Sequence, residues 1–125
     1  MWSAQIIDPK RRIIELVWAG KIQPDEVPQA NAQLVELIDQ FKGAPFDVLV
    51  DMSNFISFPP ATQHLIAEQQ RLVIEKGMRR SAVVVPFVVV KSGLQMIASK
   101  SGHGTEYHFA TREEALAFLQ SDSDS

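Results

Sequence analysis

Short β-branched runs alternate along this chain with longer segments whose apolar residues recur at helical spacing, and that alternation leaves few folds open. Residues 2–7 (WSAQII) and 13–19 (IIELVWA) are rich in β-branched and aromatic side chains, and the intervening DPKR is turn chemistry. An opening hairpin follows, with Ile14, Leu16 and Trp18 on one face of its second strand. Gly20-Lys21 ends that strand. Pro24-Asp25-Glu26 suit a first helical turn, and Val27, Ala30, Leu34, Leu37, Ile38 and Phe41 keep helical spacing until Gly43 supplies a stop. Phe46 to Val50, entered through Gly-Ala-Pro and left through Asp51, has the length of a buried strand. Pro59-Pro60 then opens a second helix that runs to Lys76-Gly77, with Lys76, Arg79 and Arg80 placed near its negative dipole end.

The run SAVVVPFVVVKSG is too awkward for one strand, because Pro86 cannot donate a ladder hydrogen bond. The expected division is a strand over Ala82 to Val85, an exit at Pro86-Phe87, and a third helix over about Val89 to Lys100 with Leu94, Ile97 and Ala98 inward. SGHGT is a loop, and Tyr107-His108-Phe109 a short strand in which His108 faces away from its neighbours. Thr111-Arg112-Glu113-Glu114 forms a capping box for a terminal helix carrying Ala115, Leu116, Phe118 and Leu119. The expected order is therefore ββαβαβαβα: an α/β domain over residues 1–120 with a mixed, mostly parallel sheet, an N-terminal β-hairpin and about four helices. Residues 121–125 (SDSDS) read as a mobile polar tail.

With 125 residues, one domain is expected, and 46% hydrophobic with 22% charged residues is the balance of a globular chain. The formal charge of −3 argues against a nucleic-acid face, which draws its affinity from clustered Lys and Arg. No cysteine is present, so disulfides, thiolate metal sites and thiol nucleophiles are excluded. The N-terminus lacks the pattern of a signal peptide, and the apolar run Ala82 to Val90 is far short of a membrane span, so a cytoplasmic location without an integral membrane segment is expected.

In open α/β sheets, sites lie outside the carboxyl ends of the strands, which directs attention to the stretch from Asp51 to His64. It supplies Asp51, Ser53, Asn54, Ser57, Phe58, Thr62 and His64 as a candidate interaction or switch loop. No G-x-S-x-G elbow marks a serine nucleophile there, and Ser57 has an alternative as N-cap of the second helix. His64, His103 and His108 lack any second ligand at i+3 or i+4, so no metal site is expected; SGHGT lacks the trailing Lys-Ser/Thr of a phosphate loop, so no cofactor is expected. The Phe and Val side chains near the loop read either as core or as an apolar groove formed by Phe55, Phe58, Phe87, Val88 and Val90.

Three patterns, VLVDMSNFISF, RRSAVVVP and YHFATREEALAFL, together with the element order, resemble a STAS domain in the diverged SpoIIAA-like branch of the anti-sigma factor antagonist family. The resemblance implies an α/β fold similar also to that of SEC14-like lipid carriers. In the signalling members it implies a phosphorylated serine in an Asp-Ser-Ser/Thr-Gly motif opening the second helix. On this chain, Ser57-Phe58 match the strand exit and the motif falls on Pro60-Ala61-Thr62-Gln63, so Ala61 replaces the modified serine and Thr62 keeps a hydroxyl one place on. The expected function is a non-enzymatic interaction or regulatory module with a protein partner. The alternative is a binder of a small apolar ligand or lipid in the groove beside the loop. An apolar, β-rich surface beside the hairpin also invites self-pairing, so a homodimer is among the expected states.

Overall fold

Residues 1–85 and 106–121 are described by a computed structural model. Strands β1 (Trp2–Asp8) and β2 (Ile13–Trp18) pair antiparallel, as the opening hairpin requires. Its turn is held by Asp8 Oδ1, which accepts from the Arg11 N–H at 3.0 Å, and Arg12 takes a left-handed φ of 58° to close it. A short strand β3 (Gly20–Lys21) precedes helix α1 (Glu26–Asp39), whose Val27, Ala30, Leu34, Leu37 and Ile38 are buried as their spacing demands. Strand β4 (Phe46–Asp51) follows, then a three-residue strand β5 (Phe55–Ser57) and helix α2 (Pro60–Glu75). Strand β6 (Met78–Val84), strand β7 (Glu106–Phe109) and helix α3 (Arg112–Gln120) complete the described elements.

The main sheet has five strands in the order β1-β2-β4-β6-β7, parallel except at the hairpin, and β3 pairs with β5 in a separate two-stranded sheet. Strand alternation divides the core in two. Ile14, Leu16, Trp18, Val48 and Val83 face α1 and α2, whereas Ile13, Leu49, Ala82 and Val84 face Ala115 and Leu119 of α3. The α/β class, the mixed sheet and the hairpin stand as expected. The helix expected over Val89 to Lys100 lies outside the described residues, as do Pro86, Phe87 and the SGHGT loop, and so does the expected tail beyond Ser121.

Two expectations give way. Strand β6 begins at Met78, four residues ahead of Ala82, so Arg79 and Arg80 are strand residues and not the basic end of a helix. The cause is Asp47 in neighbouring β4, which is 1% exposed: Arg79 Nη2 and Arg80 Nη2 donate to its Oδ2 at 3.0 and 2.9 Å. Arg80 Nη2 also donates to the Leu119 carbonyl at 3.1 Å, and its guanidinium lies 5.0 Å from the Phe118 ring centroid. Secondly, Ser57 does not cap α2. The N-cap is Pro59, no side chain makes a capping bond to the helix, and Ser57 belongs to β5.

The terminal helix follows its sequence closely. Thr111 is the N-cap, its Oγ1 accepting from the Glu114 N–H at 3.2 Å and donating to Glu114 Oε1 at 3.0 Å. The half-exposed Arg112 donates from Nε to the buried Glu15 Oε2 at 2.6 Å, and that bond holds the Arg112 guanidinium's pKa above its ordinary value against the opposing effect of burial. His108 faces away from Tyr107 and Phe109: both of those rings stack on Phe118, at 4.7 and 5.3 Å, while His108 Nε2 meets Glu106 Oε2 at 2.7 Å.

Candidate functional site

The carboxyl end of β4 runs directly into the candidate loop, and backbone hydrogen bonds hold it at every step. The Met52 N–H donates to the Val84 carbonyl at 2.7 Å, and Met52 is fully buried. Asp51 Oδ1 accepts from both the N–H and the hydroxyl of Ser53, at 3.0 and 2.6 Å, which is a local turn closed by a carboxylate. The Gly20 N–H donates to the Asn54 carbonyl at 2.8 Å and the Ile22 N–H to the Ser57 carbonyl at 3.1 Å, so the small β3-β5 sheet fixes the loop's far side.

Beneath the loop, Phe55 and Phe58 pack at 4.5 Å between centroids, and Phe58 meets the Trp18 ring edge-on at 5.9 Å. Thr62 is completely buried, and its Oγ1 donates to the Ile22 carbonyl at 2.9 Å. Its hydroxyl therefore neither caps α2 nor reaches the surface. Gln63 Nε2 donates to the Phe58 carbonyl at 2.9 Å and helps secure the helix entry.

What remains outward is specific. Ser53, Asn54, Ala61 and His64 are exposed, with His64 Nε2 3.7 Å from Glu68 Oε1 on the next turn. Between them stands Ile56, 72% exposed at the centre of β5. The strand's two-residue alternation turns Phe55 inward and Ile56 outward. That signal is in the sequence, but three residues flanked by phenylalanines are easily taken as one apolar group.

An apolar cavity of about 50 Å³ lies between the sheet and the two helices, lined among others by Leu16, Val48, Met52, Phe58, Ile66 and Val83. Of the groove expected from sequence, Phe58 lines this cavity and Phe55 packs on Phe58, while Phe87, Val88 and Val90 lie outside the described residues. Among the described residues, no three His, Asp or Glu side chains are grouped to hold a metal ion, and no helix is long and apolar enough to cross a membrane.

Two solved structures share this architecture. One is an uncharacterized protein of the DUF3478 family with a SpoIIAA-like fold from Shewanella loihica PV-4, at a TM-score of 0.74 and 14% identity over 94% of this chain and 93% of that one. Another is the anti-sigma factor antagonist SpoIIAA in its unphosphorylated form, at a TM-score of 0.65 and 18% identity over 95% and 96% of the two chains. At these identities the likeness is one of fold. No curated protein is significantly similar to the chain in sequence. The SpoIIAA-like family model, however, matches residues 13–120, from β2 to the end of α3, and the chain belongs to the SpoIIAA-like family.

Proposed function

We propose that this domain is a non-enzymatic regulatory module that presents the loop from Ser53 to His64 to a protein partner. The observation that carries the reading is Ile56, a large apolar side chain exposed on a strand whose backbone and neighbours are fixed from below. A rigid platform with one protruding apolar residue and a polar rim of Ser53, Asn54 and His64 has the make-up of a recognition surface, where a few anchors carry most of the affinity. Family membership supports a regulatory role. Where the resemblance places the switch serine stands Ala61, and the adjacent Thr62 hydroxyl is buried and engaged, so this surface acts without that phosphorylation.

A second reading, binding of a small apolar ligand, is favoured by the cavity beside Phe58. Its roughly 50 Å³ is about a third of the ~150 Å³ of an engineered cavity that admits benzene, which puts the weight on surface recognition.

The test is affinity capture from an extract of the source cells with immobilised wild type and Ile56→Asp, both checked for native circular dichroism. The expected result is a protein retained by wild type and reduced about tenfold or more by the variant, the effect of losing a central apolar anchor. Identical captures would remove the basis of the reading. Native mass spectrometry of the freshly purified protein addresses the second reading, for which an added small-molecule mass is expected.

A further inference from the structure

We infer that the open edge of β1 pairs with β1 of a second copy, antiparallel about a two-fold axis at Ala4, joining two sheets into one. Strand β1 is terminal in the five-stranded sheet, and among the described residues nothing pairs with its outer side. Residues 2–7 contain no Lys, Arg or Pro, the residues that ordinarily blunt such an edge.

The phase of the hairpin ladder says which backbone groups are on offer. Met1 and Ala19 exchange both of their hydrogen bonds, at 2.9 Å each way. Because exchanged and unexchanged pairs alternate along an antiparallel ladder, Ser3 and Gln5 also bond to β2, and the N–H and C=O groups of Trp2, Ala4 and Ile6 point to the open side. The register breaks between Ile6 and Asp8, so the regular stretch is Trp2 to Ile6 and Ala4 is its midpoint.

A two-fold axis at Ala4 then makes the sequence its own complement. Trp2 meets the partner's Ile6, Ala4 meets the partner's Ala4, and Ser3 meets the partner's Gln5. The apolar pairs fall on the side of the sheet where Trp2, Ala4 and Ile6 already pack against the α1 and α2 core, and the polar pairs fall on the other. Each outward residue exchanges two hydrogen bonds. Register and facing are thus satisfied together, as a closed, isologous contact requires.

Sedimentation velocity between about 10 and 500 µM tests this, since a contact built on one strand pair belongs at the weak end of the range. A reversible monomer–dimer equilibrium is expected for wild type. Ala4→Lys sets two ammonium groups across the axis and is expected to weaken dimerisation about tenfold or more. Wild type that stays monomeric throughout, or an Ala4→Lys variant that dimerises equally, overturns the inference. Should Ala4→Lys fail to fold, cysteine scanning decides in this cysteine-free chain. Ala4→Cys is expected to be joined between copies by a short bismaleimide cross-linker, because Cα atoms of an exchanged pair lie about 5.5 Å apart. Ser3→Cys, displaced from its own copy by two residues, is expected to cross-link far more slowly; equal rates would refute the register.

Discussion

Ile22 is the residue on which the candidate site hangs. Its N–H donates to the Ser57 carbonyl and its carbonyl accepts from Thr62, so the backbone of one residue joins β5 to the start of α2. Thr62→Val keeps the shape of the side chain and removes the donor, leaving a buried acceptor without that partner. A loss of about 1–2 kcal/mol follows from the cost of a buried group left unmade. Thr62→Ser keeps the bond and gives up one methyl, for a loss below about 1 kcal/mol. Urea unfolding followed by tryptophan fluorescence measures both, since Trp18 is buried against Phe58. A valine variant as stable as wild type would mean that the hydroxyl does not hold the helix start. The same geometry explains why a hydroxyl visible in the sequence one place beyond the family's switch position offers no accessible oxygen: its burial depends on a residue forty positions away.

Elements long enough to show a period are legible in the sequence, and those that depend on a distant partner are not. Helix α1 shows its buried stripe at helical spacing, α2 shows only Ile66 and Val73 of a buried face that also holds Thr62, Ala67 and Gln69, and α3 shows its cap at Thr111. Strands β3 and β5, of two and three residues, show no period and exist through bonds to each other, so Ile56 and its outward aim are hidden until they pair. The location of the candidate site is therefore readable from β4 and the prolines, whereas the side chains it presents are not. The first strand pair also carries a pH dependence. The Arg11 N–H, and then the Gln120 amide and the Arg11 charge, hold Asp8's carboxyl below the usual aspartate range despite some opposing burial, and Asp8 Oδ2 reaches Gln120 Nε2 at 3.1 Å across to α3. A depressed carboxyl pKa stabilises the fold above the unfolded value, near 3.9, and that contribution disappears as pH falls through the lower folded value. Asp8 is partly exposed, so the contribution should stay below about 1 kcal/mol. Urea midpoints of wild type and Asp8→Asn are expected to differ at neutral pH and to converge as pH falls through the lowered folded value. A constant difference across that range would assign the effect to shape and not to charge.

Across the whole molecule, the two faces of the sheet are stabilised by different means. The α1 and α2 face is an apolar core, while the α3 face combines a small cluster around Leu49, Ala82 and Leu119 with ion pairs from Glu15 to Arg112 and from Asp47 to Arg79 and Arg80. Asp47 is central to the second arrangement because it bonds two side chains and also accepts from the Arg80 backbone N–H at 3.1 Å. Through Arg80 it reaches the Leu119 carbonyl, so one carboxylate links β4, β6 and the end of α3. Asp47→Asn preserves size but removes the carboxylate charge with which the Arg80 side chain, 7% exposed, is paired. Breaking a buried pair in this way costs about 3–5 kcal/mol, a large share of the roughly 5–15 kcal/mol of a typical domain. Replacing both partners together, as Asp47→Leu with Arg80→Met, removes both buried charges and is expected to recover most of that loss, because the desolvation cost disappears with the attraction. Urea unfolding of Asp47→Leu, of Arg80→Met and of the double variant completes the cycle, with Asp47→Asn as the size-matched single. The expected order is wild type and double variant close together, with both single variants well below; a double variant no better than the singles would show that the arrangement holds α3 by geometry and not by compensating charge.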